Sequence, residues 1–155
     1  MTDRVEFAGL GVGFLLGADA TGGAFAAVDH VLAPRILGAP VHTHAHEDEY
    51  SYVLEGRVGF QLGGEVREAG PGEIVAKPRG VPHAFWNPGD ESAKLLEIIS
   101  PAGFEKYFRE LAPLLGGGGP PDVAALGALQ ARYGLTMDFS TIDSLSAAHG
   151  LRPPE

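Results

Sequence analysis

The sequence predicts a mainly β protein, a small barrel or sandwich of short strands followed by C-terminal helices. Two observations carry this. The first two thirds break into short apolar runs, nearly every one closed by Gly, Pro or Asp, and the 155 residues include 23 Gly and 12 Pro. Short strands joined by tight turns draw on those residues. The last third switches to apolar residues at helical spacing. A single chain of this length buries about 70% of its unfolded surface and supports a core without staples. Its 45% hydrophobic and 20% charged residues are ordinary for a globular protein.

In chain order, "FAGLGVGFLL" (7–16) is strand material, "GADATGG" a turn cluster, and "AFAAVDHVLAP" the return of a hairpin. "VHTH", "EYSYVLEG", "RVGFQLGG", "EVREAGPG", "EIVAKPRG", "HAFWNPGD" and "AKLLEIIS" follow as further strands. Their regular spacing suits a sandwich or barrel. In "SPAGFEKYFRELAPLL", Ser100 is placed to N-cap a helix and Pro101 fits its first turn. Phe104, Tyr107, Phe108 and Leu111 share one face of that helix. "GGGGPP" (116–121) interrupts it. "DVAALGALQARYG" reads as a second helix capped by Asp122. "STIDSLSAAHG" reads as a third, with Ser140 and Asp143 at capping-box spacing and Gly150 at the stop. Residues 1–100 are thus expected to form the barrel, and 101–155 a helical extension on the barrel or on a partner subunit. The helices carry no paired His or Glu at ligand spacing and are read as cover.

Composition excludes several classes. A net charge of −9 disfavours nucleic acid and anionic membranes, which need a basic face. The absence of cysteine removes disulfides, thiolate chemistry and Cys-based metal sites. The apolar stretch 7–18 is too short to span a bilayer and has acidic flanks, so a cytoplasmic location is the default expectation.

Half of the six histidines fall in "VHTHAHEDEY" (41–50), beside three carboxylates. On a strand His42 and His44 face one side while Val41 and Thr43 face the other. Glu49 opens the next strand and can face the pair across the turn. In "GEIVAKPRGVPHAFWN" (72–87), Pro78 and Gly80 mark a turn and His83 heads the following strand. Three imidazoles and a carboxylate from three strands can converge inside a small barrel. Imidazole favours iron, nickel, copper or zinc, and a carboxylate admits manganese. Four protein ligands leave coordination positions open, as a catalytic metal requires.

These two stretches resemble the paired motifs of the cupin superfamily. Gly72, Pro78, Gly80, His83 and Asn87 reproduce the second motif, G-x5-P-x-G-x2-H-x3-N. His42, His44, Glu49 and Gly56 match the first as H-x-H-x4-E-x6-G. Its leading glycine is replaced by Ile36, and Gly38 comes two residues late. A register using Gly38, His44 and His46 restores the glycine but shortens the gap to Glu49, so His42 and His44 are preferred. The resemblance implies a double-stranded β-helix (jelly-roll) barrel and a homodimer. It also implies one divalent metal per chain (Fe, Mn, Ni, Cu or Zn) held by His42, His44, Glu49 and His83.

Parity assigns the neighbours. Phe85 and Asn87 share the side of His83 and are candidate substrate-binding residues. Trp86 points away and is expected beneath a helix or partner. Tyr50, Tyr52, Leu54 and Trp86 form an outward apolar set for the dimer contact. His46, Glu47 and Asp48 read as a solvated turn, and His30 and His149 as structural. Lys77 and Arg79 could meet an anionic substrate or stay on the surface.

The leading functional reading is a metal-dependent enzyme acting on a small oxygenated organic substrate, with Glu49 as ligand or proton acceptor. Dioxygenases of the quercetinase type share this ligand set and are the nearest enzymatic analogy. Two alternatives stand beside it: a non-catalytic module binding a sugar or small acid at the metal, and a barrel whose metal is only structural. Access to the metal separates the last from the others.

Overall fold

Alternation decides the strands. In β5 (Asp48–Glu55) Glu49, Ser51 and Val53 are buried while Tyr50, Tyr52 and Leu54 are exposed. In β10 (Ala93–Ser100) Ala93, Leu95, Glu97 and Ile99 form the buried side. Each strand thus turns one face to a shared interior and the other outward. The computed structural model describes residues 3–152.

The remaining strands are β1 (Asp3–Phe7), β2 (Leu10–Leu16), β3 (Ala26–Leu32), β4 (Leu37–His44), β6 (Val58–Leu62), β7 (Glu65–Ala69), β8 (Ile74–Lys77), β9 (His83–Trp86) and β11 (Leu135–Met137). They make two antiparallel sheets, ordered β1-β2-β3-β10-β5-β8 and β11-β4-β9-β6-β7. The inner faces enclose a core that includes Val12, Val28, Leu32, Val53, Phe60, Leu95 and Ile99. This is the jelly-roll arrangement of a mainly β chain, followed by the expected C-terminal helices.

Four helices complete the described chain: α1 (Ala18–Thr21), α2 (Glu105–Leu115), α3 (Val123–Arg132) and α4 (Thr141–His149). α2 and its N-cap Phe104 present Phe104, Tyr107, Phe108 and Leu111 to the core, the face that the helical spacing predicts. Asp122 caps α3 by accepting from the Ala125 N–H at 3.1 Å. Gly150 ends α4 in the left-handed conformation, φ 64°. No described helix is long and apolar enough to cross a membrane.

Four local expectations are corrected. The single run 7–16 is two strands: Ala8 and Gly9 take φ of 49° and 81°, and β1 folds back on β2. Ser100 does not cap α2. It remains in β10 opposite Asp48, and the helix starts at Glu105. The capping box before α4 is not made, because Asp138 rather than Asp143 accepts from the Ser140 backbone N–H and hydroxyl. Finally, Leu135–Met137 is an edge strand, β11, on β4, with Leu135 opposite His44 and Met137 opposite His42.

Trp86 is buried, on the face of β9 opposite His83, and stacks on His149 with centroids 4.1 Å apart. With Ala84, Leu145 and Leu151 it forms a second small core beneath α4. It therefore packs under a helix and does not join the outward set of Tyr50, Tyr52 and Leu54, which lies on the other sheet.

Candidate metal centre

Strand pairing assembles the four candidate ligands. His42 and His44 leave β4 on its inner side, His83 stands opposite His42 on β9, and Glu49 projects inward from β5. All four are buried, and one ligand atom from each lies within 4.8 Å of the others. His46 is exposed and lies outside this cluster.

The histidines are oriented by one repeated device. His42 Nδ1 lies 2.8 Å from the Pro40 carbonyl, His83 Nδ1 3.1 Å from the Val81 carbonyl, and His44 Nδ1 2.7 Å from Glu47 Oε1. Tying each Nδ1 leaves each Nε2 for the centre, the usual second-sphere arrangement of a metal site. The Nε2 atoms of His44 and His83 are buried without a hydrogen-bond partner, although they approach Glu49 Oε1 at 2.9 and 3.4 Å. Buried polar atoms left unpaired are costly. A divalent cation between them removes that cost, so the donor set and its orphaned nitrogens fit a metal.

The charges point the same way. Burial, then the neighbouring His83 and His44, push His42 well below the usual imidazole range. Burial also lowers His83. For His44, burial opposes the charged form, but Glu49 and Glu47 outweigh it and lift the group to about 9. Burial raises Glu49, yet His44 and Lys77 hold it well below the ordinary carboxylate range. A metal bound among these groups would displace the proton that Glu49 and Glu47 favour on His44.

The centre opens onto a cavity of ≈ 580 Å³. His42, His44, Glu49, His30 and Lys77 line it from the barrel, Gln130, Ser146 and Arg152 add polar groups from the extension, and Phe104, Phe108, Leu111, Leu126, Leu135 and Met137 are among its apolar lining. Much of that lining comes from α2, α3 and β11, so the extension read as mere cover shapes the pocket. Phe104 also touches the centre, packing edge-on against His44 at 4.4 Å.

Of the two residues expected to line the pocket, Phe85 does. Asn87 does not join it. Its amide donates to the Leu32, Ala33 and Glu91 carbonyls, and its carbonyl oxygen accepts from the Gly89 N–H, so its polar atoms are spent on a loop. Three residues carry more than their sequence positions suggested. Glu47, read as a solvated turn, is buried on His44. Lys77 is buried and paired with Glu97 at 2.9 Å, and Ser51 donates to that same carboxylate at 2.7 Å. Burial works against charge on Lys77, but Glu97 and Glu49 keep it protonated. His30 faces inward between Phe85 and Phe108. The one available signal was parity: Lys77 sits two residues after the buried Val75, and His30 two after the buried Val28. Arg79, by contrast, is on the surface and pairs with Asp48.

Comparison with known proteins agrees with this fold. A family described as "Cupin domain" matches residues 29–99, from β3 to β10. A 60-residue stretch is 35% identical to a protein of Streptomyces cyaneus described as "Polyketide synthase CurC", covering 39% of each chain. That match thus spans about two fifths of the curated relative. Among solved structures, KdgF from a Halomonas species superposes with a TM-score of 0.60 at 19% identity, over 67% of this chain and 90% of that one. A sugar phosphate isomerase of Silicibacter pomeroyi gives 0.56 at 24% identity, over 64% and 71%. At these identities the structural likeness is one of fold.

Proposed function

We propose that this chain, whose residues 29–99 match the cupin-domain family, is a metal-dependent enzyme acting on a small oxygenated organic molecule. His42, His44, Glu49 and His83 are its proposed ligands to one divalent ion. The observation that carries the reading is the junction of two features, a buried four-ligand cluster and a cavity that reaches it. A purely structural metal has no use for ≈ 580 Å³ of space beside it. When bound, a first-row metal supplies Lewis acidity toward substrate oxygens and, if redox-active, electrons for dioxygen chemistry.

The chain's own residues do the rest. The three imidazoles, fixed through Nδ1, present Nε2 in one orientation. The apolar walls exclude water and raise the strength of every charge inside. Glu49, ionised and within reach of the same space, accepts a proton from a substrate hydroxyl at its carboxylate. The dioxygenase analogy is tested by oxygen uptake over a panel of enols and hydroxy-ketones with iron, manganese, nickel, copper and zinc. Glu49→Gln separates the roles of the carboxylate. A proton acceptor loses roughly 100-fold in rate or more beyond any fall in metal content; a rate that only tracks metal occupancy makes it a ligand alone. Ligand binding without turnover for any metal would turn the reading to a binding module.

We propose also that two copies pair. The outer face of β5 and β8 shows Tyr50, Tyr52, Leu54 and Ile74 at 37%, 38%, 41% and 57% exposure. Tyr52 and Ile74 are cross-strand partners, so this is one contiguous apolar patch.

A further inference from the structure

The extension brings polar groups of its own to the cavity: Tyr107, Gln130, Ser146 and Arg152. Tyr107 and Gln130 are buried and hydrogen-bonded to each other, so they tie α2 to α3. Ser146 and Arg152 have no such partners. The Ser146 Oγ is buried without a hydrogen bond, while its carbonyl accepts from the Gly150 and Leu151 N–H groups. Those two bonds end α4 and turn the chain toward residues 34–35. There the Arg152 N–H donates to the Arg35 carbonyl at 2.6 Å, and its Nε donates to the Pro34 carbonyl at 2.9 Å. The base of the side chain is thus held, and the donors on its Nη groups remain. No ion pair among the described residues includes Arg152. Lys77, which also lines the cavity, is instead paired with Glu97.

We propose that Ser146 and Arg152 form an anion subsite on the extension side of the cavity, which takes the carboxylate of a ligand whose body lies along the cavity. A carboxylate matches the pair. Its oxygens meet the planar Nη fork, and the Ser146 hydroxyl donates to the same group. A buried hydroxyl without a partner is costly, and the ligand's oxygen removes that cost. One guanidinium balances a monoanion, whereas a phosphate dianion would keep surplus charge beside a chain of net charge −9. That net charge repels acidic solutes in general, so an exposed guanidinium at the rim of the cavity favours the entry of those that fit. The subsite lies on α4 and the segment after it, outside the residues 29–99 that match the cupin-domain family. It rests on the proposed function only in that the cavity takes a ligand; the carboxylate binds with or without metal. The occupant is then two-ended, with one polar group toward His42 and His44 and a carboxylate at the extension.

The test uses the full chain freed of metal and a fluorescent probe, 11-(dansylamino)undecanoate, with its methyl ester as the uncharged twin. Both offer the cavity the same body and differ only at the carboxylate. The acid is expected to bind about 10-fold more tightly than the ester, and added salt should narrow the gap. Arg152→Gln should bring the acid down to the affinity of the ester and leave the ester unchanged, which shows that the cavity is intact. Ser146→Ala should weaken the acid about 3-fold, again without effect on the ester. It decides alone if Arg152→Gln does not fold. Equal affinity for acid and ester in the wild type overturns the subsite and leaves the cavity standing as a ligand site. An acid preference that survives either substitution undiminished also overturns it, as does a loss shared equally by both probes. If neither probe binds the wild type, the cavity reading of the proposed function fails together with the subsite.

Discussion

Glu47 and Glu49 sit two residues apart on the same turn and strand, yet they act on opposite nitrogens of His44. Glu47 Oε1 is 2.7 Å from Nδ1, and Glu49 Oε1 is 2.9 Å from Nε2. Glu47 fixes the ring and raises its basicity, whereas Glu49 shares its metal-facing side. Outer partners of this kind typically contribute 10- to 100-fold in metal affinity. Glu47→Gln is therefore expected to weaken metal binding about 10-fold, and Glu47→Ala more, with circular dichroism unchanged; calorimetric titration with zinc measures both. An affinity unaltered in Glu47→Ala contradicts the orienting role. The four candidate ligands were legible because strand parity and motif spacing are local. Glu47, Lys77 and His30 were not, because nothing local says that a carboxylate after a histidine turn, or a lysine before proline, will be buried by strands distant in sequence.

At the scale of the element, β9 shows how one strand serves two cores. His83 faces the ligand cluster and Phe85 the cavity, while Ala84 and Trp86 face α4. Trp86 fits because its partner on β6 is Gly59. A Cβ at Gly59 would overlap the indole. Gly59→Ala is predicted to cost about 1–3 kcal/mol by overpacking, a fall of a few degrees in Tm. Metal content should hold, since the strain falls on the side of β9 away from His83. Gly64→Ala is the control: no heavy atom lies within 4 Å of its added Cβ, and thermal melts should not distinguish it from wild type. Strand existence was readable from turn residues and alternation. The three-residue β11 was not, since a run that short has no period. The late start of α2 was not readable either, since Ser100 serves pairing with β5 in place of capping.

For the whole molecule, the division between barrel and extension has two consequences. Residues 29–99 carry the family resemblance and the proposed ligands, and the helices beyond them close much of the cavity. The extension also covers the outer face of β4 and β9 through α4. Among the described residues the outer face of β5 and β8 receives no such cover, and a second copy is the proposed one. Sedimentation at micromolar concentration should give a dimer for the wild type. Ile74→Lys, which places a charge at the most exposed apolar position of the patch, should give a monomer with metal content intact. A wild-type monomer contradicts the pairing.

His42, His44, Glu49 and His83 are proposed to hold one divalent metal. Elemental analysis of protein purified without a histidine tag tests it directly, on wild type and on the His42→Ala/His83→Ala variant. About one first-row metal per wild-type chain is expected and none in the variant, whose far-ultraviolet circular dichroism still reports a folded barrel. The same metal content in a folded double variant would contradict it.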